Sequence, residues 1–145
     1  MVKEDTTRKG RREILSALID KAGKNIPVEG CDIFLFFEGS QEFETFSGSS
    51  RTRLANRFQG YLEEGIVDWI ISQQHPAVIE DIEYMTNEPG KDERNFVMVP
   101  VTLKKEKRAI ILLYTSKPKQ DFTAKDLDRL SDAADGIARK IGKLK

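Results

Sequence analysis

The chain has 145 residues, with 24 Lys plus Arg against 24 Asp plus Glu, so its formal net charge is zero. That length suits one domain with a core large enough to need no staple, and the single cysteine, Cys31, rules out an internal disulfide or a multi-cysteine zinc site. Balanced charge argues against wholesale nucleic-acid binding, no apolar run approaches the roughly 20 residues of a membrane span, and the opening MVKEDTTRKGRREI lacks the apolar stretch of a secretory leader. The expectation is one cytoplasmic domain over residues 1–145, with neither nucleic acid nor membrane as partner.

Residues 9–25 read as an amphipathic helix, with Ile14, Leu15, Leu18, Ile19 and Ala22 on one stripe and Gly23 and Pro27 as stops. The apolar run 31–37, CDIFLFF, predicts a central strand buried on both faces. A turn at Glu38-Gly39-Ser40 leads into an alternating segment, 41–47, that completes a hairpin. The polar loop 47–53 offers backbone N–H groups and two arginines to an anion, but lacks the spacing of a phosphate-binding loop. Short helices are expected over 54–61 and 66–73, the second with Ile66, Trp69 and Ile70 inward. A strand at 77–79 and an acidic excursion over 80–95, broken by Pro89-Gly90, come next. Segments 96–103 and 108–116 form a second hairpin around a charged turn, and Pro100 places the first of them at an edge or a bulge. The last helix carries Leu127, Leu130, Ala134, Ile137, Ile141 and Leu144 at 3-4 spacing, with Thr123 as N-cap and Asp126 in its first turn.

This order implies an α+β fold, an antiparallel sheet with the terminal helices on one face and a helical or loop crossover on the other. Over about residues 10–142 the sequence resembles the GAF domains, small sensory modules related in shape to PAS domains. The resemblance rests on Gly65-Ile66-Val67-Asp68-Trp69-Ile70, His75-Pro76-Ala77-Val78-Ile79-Glu80-Asp81, Val99-Pro100-Val101, Ala109-Ile110-Ile111-Leu112 and Phe122-Thr123-Ala124-Lys125-Asp126-Leu127. It implies a bacterial sensor. The chain departs from the family at Gln74, Lys105 and Ala109, where Gly is usual, and Gln74 must then close the crossover helix in a left-handed conformation that is least costly for Gly. A sheet face roofed by loops leaves a concave, partly apolar pocket. Its expected lining is Trp69, Ile79, Asp81, Tyr84, Met85, Phe96 and Met98.

Catalytic chemistry finds little support. Cys31 opens a strand, where a thiol is buried and inert, and a lone thiol cannot complete the cycle of the sulfoxide reductases that share this resemblance. His75 is the only imidazole, so neither a hydrolytic triad nor a two-histidine iron site can be assembled within the chain. An all-carboxylate site from Asp81 with Glu80 or Glu83 is the remaining metal option, and neither metal nor cofactor is expected. Cyclic-nucleotide-binding relatives carry a motif of which Lys117, Phe122 and Asp126 match, while Ser116 and Leu127 do not. The resulting expectation is a non-catalytic sensory module, binding a small ligand under the 80–95 segment and signalling through its terminal helices. The alternative is a structural or dimerisation module whose pocket is filled by its own side chains. A homodimer through the long apolar seam of the last helix is expected in either case.

Overall fold

A computed structural model describes residues 2–22, 25–48, 52–87, 93–104 and 106–143, and at 2–9, 22, 85–87 and 142–143 it describes the backbone alone. Helix α1 (Val2–Ala22) precedes strand β1 (Val28–Phe37) and its short partner β2 (Phe43–Thr45). Helices α2 (Arg53–Glu63) and α3 (Ile66–Gln73) cross over to β3 (Ala77–Glu80), followed by the six-residue helix α4 (Ile82–Asn87). Strands β4 (Asn95–Thr102) and β5 (Lys107–Thr115), a 3₁₀ turn at Lys119–Asp121 and helix α5 (Ala124–Lys143) complete the chain. The strands form one antiparallel sheet in the order β2-β1-β5-β4-β3.

Strand alternation sorts the core into two layers. Ile33, Leu35, Val97, Val99, Val101, Ala109, Ile111 and Leu113 face α1 and α5, where they meet Ile14, Leu18, Leu130, Ala133, Ala134, Ile137 and Ile141. Phe34, Phe36, Phe96, Met98, Ile110 and Leu112 face the crossover and pack against Ala55, Phe58, Tyr61, Leu62, Val67 and Ile70. The α+β fold with helices on both sheet faces is therefore as expected. Pro100 also sits where its missing N–H predicts: β3 pairs with β4 only as far as Met98, so Pro100 lies on a stretch of β4 that has β5 alone beside it. No helix among the described residues is long and apolar enough to cross a membrane.

Three expectations need correction. Trp69 is not inward but 58% exposed, because α3 turns Val67 and Ile70 to the sheet instead. The sheet face under the crossover is packed with rings among the described residues where an apolar hollow was expected: the Phe34 and Phe58 rings stack at 4.4 Å, and Phe43 meets Phe58 edge-on at 4.9 Å. The apolar seam of α5 is spent within the protomer, since Leu130, Ala134, Ile137 and Ile141 are all buried against the sheet and α1; Leu144 lies outside the described residues.

The N-terminus of α5 is held by a reciprocal capping box. The Asp126 N–H donates to Thr123 Oγ1 at 3.1 Å, and the Thr123 N–H donates to Asp126 Oδ2 at 3.1 Å. Lys117 Nζ donates to the same carboxylate at 2.9 Å and to the Asn25 carbonyl at 2.9 Å, tying the α1–β1 connection to the start of α5. The Lys117 ammonium also lies 5.3 Å from the centre of the Phe122 ring. The three residues that match the nucleotide-binding motif thus hold one another at this junction.

A polar cleft over a buried carboxylate

The acidic stretch that follows β3 begins with a buried side chain. Asp81 is 1% exposed, and its backbone N–H donates to the Arg94 carbonyl at 2.9 Å, which fixes it beside the start of β4. Its Oδ2 accepts from Arg53 Nη2 at 2.7 Å and from the Tyr114 hydroxyl at 2.7 Å. Its Oδ1 accepts from the Tyr84 N–H at 3.2 Å and stands 3.7 Å from Arg57 Nη2. A carboxylate met by this many donors tolerates burial, because each lone pair lost to water is replaced.

Both arginines come from α2, where residues four apart share a face. Thr52 caps that helix by accepting the Ala55 N–H at 3.1 Å, which starts it one residue before Arg53. The Arg53 guanidinium lies 4.9 Å from the centre of the Tyr114 ring, and that of Arg57 lies 5.5 Å from the centre of the Phe96 ring. Arg57 also donates to Glu83 Oε2 at 2.6 Å. Burial works against its charge, yet the hydrogen bond to Glu83 and the nearby acids raise the guanidinium above its ordinary value. The phenols of Tyr61 and Tyr114 are both pushed up to about 12, by burial first, and in Tyr114 also by donation to Asp81.

Above this network lies a cleft of about 490 Å³, walled by Arg53, Asn56, Arg57 and Gly60 of α2, by Glu64 at its C-cap, and by Glu83 and Tyr84 of α4. Gly60 is an interior helical residue that its own fold does not require: a Cβ there would meet only the Glu64 carboxylate, at 3.8 Å. Glycine in a helix interior costs about 1 kcal/mol against alanine, and here its bare Cα widens the cleft.

The seven residues expected at the site separate into groups. Asp81 does not line the cleft but is buried behind two arginines that do, Arg53 and Arg57, and Tyr84 lines it. Phe96 sits under the Arg57 guanidinium, fully buried, and Ile79, half-buried, pairs with it across β3 and β4. Met98 is deep in the packed layer, and Trp69 is on the outer surface of α3. Met85 belongs to α4, but its side chain lies outside the described residues, as does the Pro89-Gly90 portion of the expected lid. Sequence reasoning singled out Arg53 only as part of a loop and missed Asn56, Arg57, Gly60 and Glu64, which with it form a 3-4 spaced polar and glycine stripe along α2 and its C-cap, a stripe whose only signal was that spacing. The anion reading of the 47–53 loop reduces to Arg53, which faces Asp81; Arg51 lies outside the described residues.

Elsewhere the reactive groups are quiet. Cys31 has its thiol pushed up to about 12 by burial, with Asp32 adding to the effect, and His75 is exposed in the turn after α3. Among the described residues no three His, Cys, Asp or Glu side chains group as metal ligands.

The GAF domain model matches residues 9–141. The solved structures similar to the chain include the GAF domain/HD domain protein of Geobacter sulfurreducens, at 9% identity and a TM-score of 0.60, covering 92% of this chain and 93% of that one. A methyl-accepting chemotaxis protein fragment matches at 14% identity and a TM-score of 0.55, covering 95% of this chain and 88% of the other. The GAF domain of an Acinetobacter phosphoenolpyruvate-protein phosphotransferase matches at 15% identity and a TM-score of 0.51, covering 98% and 93%. No curated protein sequence matches the chain.

Proposed function

Because the chain belongs to the GAF domain family, we propose that it is a non-catalytic sensory module, cytoplasmic and bacterial. Its cleft between α2 and α4 takes a small polar molecule bearing an anionic group. The observation that carries this reading is the open cleft of about 490 Å³ with two arginines at its base, one of them, Arg53, with 57% of its side chain exposed. An incoming carboxylate or phosphate competes with Asp81 for the Arg53 fork, while Asn56 and Tyr84 stand on the cleft walls to orient the rest of the molecule. Drawing Arg53 away leaves Asp81 to Tyr114 and to the Tyr84 N–H, so the positions of β5 and α4 both depend on occupancy. On the other face of β5, Ile111 and Leu113 pack in the layer of α1 and α5, which gives a shift of that strand a route to the terminal helices.

The test is native mass spectrometry of the freshly purified full chain, followed by thermal melting with inorganic phosphate, dicarboxylates, amino acids and nucleotides. A true ligand at a hundredfold its Kd stabilises by about 2.7 kcal/mol, and Arg53→Ala with Arg57→Ala should abolish that rise. The packed Phe34–Phe58 layer favours the rival, a structural module without a small ligand. Absence of any adduct and of any thermal rise across the series would select that rival.

A further inference from the structure

Helix α2 carries its charges against its own dipole. A helix is stabilised by acids in its first turn and bases in its last, yet the first turn of α2 holds no acid and its last turn no base. It opens instead on Arg53 and closes on Glu63, with Glu64 at its C-cap. Charges and an interior glycine that weaken a helix without serving its packing mark a surface kept for another purpose. Arg53, Gly60 and Glu64 all wall the cleft above Asp81. Glu64 bends back along it: its Oε1 lies 3.8 Å from the place a Cβ of residue 60 would take. The Glu64 carboxylate is exposed and makes no hydrogen bond or ion pair among the described residues.

The charges around the cleft do not cancel. Two guanidiniums, Arg53 and Arg57, meet three carboxylates: Asp81 buried behind them, Glu83, which accepts from Arg57 through Oε2, and Glu64. One negative charge is left over, and among the described residues Glu64 is the carboxylate of the three with no cation beside it. Resting on the reading of this cleft as a ligand site, we infer that its occupant is a basic amino acid, with its carboxylate on Arg53, its α-ammonium at the other oxygen of Glu83 and its side-chain cation at Glu64. Such a ligand brings two cations and one anion, so its net positive charge cancels the surplus, which phosphate or a dicarboxylate would meet without relief. Residues 53 and 60 are seven apart, so on the order of 10 Å of helix separates the two ends of the cleft. An extended lysine or arginine, together with the guanidinium and the carboxylate that hold its ends, covers a distance of that order. Its methylenes then run past the bare Cα of Gly60.

Isothermal titration calorimetry of the full chain tests this with lysine, arginine, norleucine, cadaverine, succinate and inorganic phosphate, and circular dichroism melting shows that each variant is folded. Lysine or arginine binds. Norleucine, which lacks the side-chain amine, and cadaverine, which lacks the carboxylate, each bind at least about tenfold more weakly than lysine, the scale of one lost bond to a charged group. Glu64→Gln erases the preference for lysine over norleucine while its melting temperature holds or rises, since the acid opposes the dipole where it stands. Arg53→Ala abolishes lysine binding. Succinate or phosphate bound through Arg53 with neither basic amino acid bound overturns this inference and leaves the anionic-ligand reading of the cleft standing, whereas no binding by any of the six compounds overturns both. Lysine bound no tighter than norleucine, or bound unchanged by Glu64→Gln, overturns the inference as well.

Discussion

The Asp81 carboxylate remains a stable buried group because Arg53, Tyr114 and the Tyr84 N–H converge on it from three separate elements. Its worth is unlike that of an exposed ion pair such as Arg108 with Glu38, whose carboxylate side chain is 65% exposed and whose attraction is screened by water. Trp69 shows the opposite situation, a large apolar group that the fold leaves outside. Trp69→Ala should therefore change stability by less than about 0.5 kcal/mol, the usual range for a surface position, as read by urea unfolding. A loss of 3 kcal/mol or more, the scale of an aromatic removed from a core, would place α3 in a different rotation.

Among the elements, α3 ends in a strained residue. Gln74 has φ 58°, the one positive φ outside glycine among the described residues, and its N–H donates to the carbonyls of Ile70 and Ile71 at 3.0 and 3.2 Å. Gln74→Gly should raise stability by about 0.5–1 kcal/mol, since glycine reaches this conformation without a Cβ clash, and a denaturant midpoint shifted upward at constant slope is the measurement. That strain was legible only through the resemblance, which implies a glycine at the position Gln74 occupies and hence a left-handed closing residue. The cap of α5 was readable from the residues, Thr123 and Asp126 having the spacing of a reciprocal cap. The rotation of α3 was not. Its eight residues, IVDWIISQ, are apolar on nearly every side, so a stripe through Ile66, Trp69 and Ile70 competes with the observed one through Val67 and Ile70. The cleft was half readable: Asp81 and Tyr84 lie in the acidic segment, but the arginine partners of Asp81, Arg57 and Arg53, are 24 and 28 residues away in sequence, and only the packing of α2 on the sheet brings them together.

For the molecule as a whole, the Lys117–Asp126 clasp joins the α1–β1 connection to α5 and so couples the two terminal helices to the sheet. The Lys117 hydrogen bond, and then that from the Thr123 N–H, hold the Asp126 carboxyl below its ordinary value. A depressed carboxyl stabilises the fold at pH above the unfolded value near about 4, and the contribution is lost as pH falls through the lower folded value. Asp126→Asn should cost about 1–2 kcal/mol at pH 7 and progressively less in acid, so urea midpoints of variant and wild type should converge as pH falls below the ordinary carboxylate range. A gap that stays constant with pH would remove the carboxylate from the account. The sheet that these helices cover has a further property in its margins. β2 offers three residues and β3 four, β1 carries a register break at Val28/Gly30 and a buried Asp32, and the uncovered end of β4 contains Pro100. Each is an obstacle to a foreign strand seeking a template, so the chain resists amyloid-like growth from its edges even though five strands of high β-propensity are drawn together in one sheet.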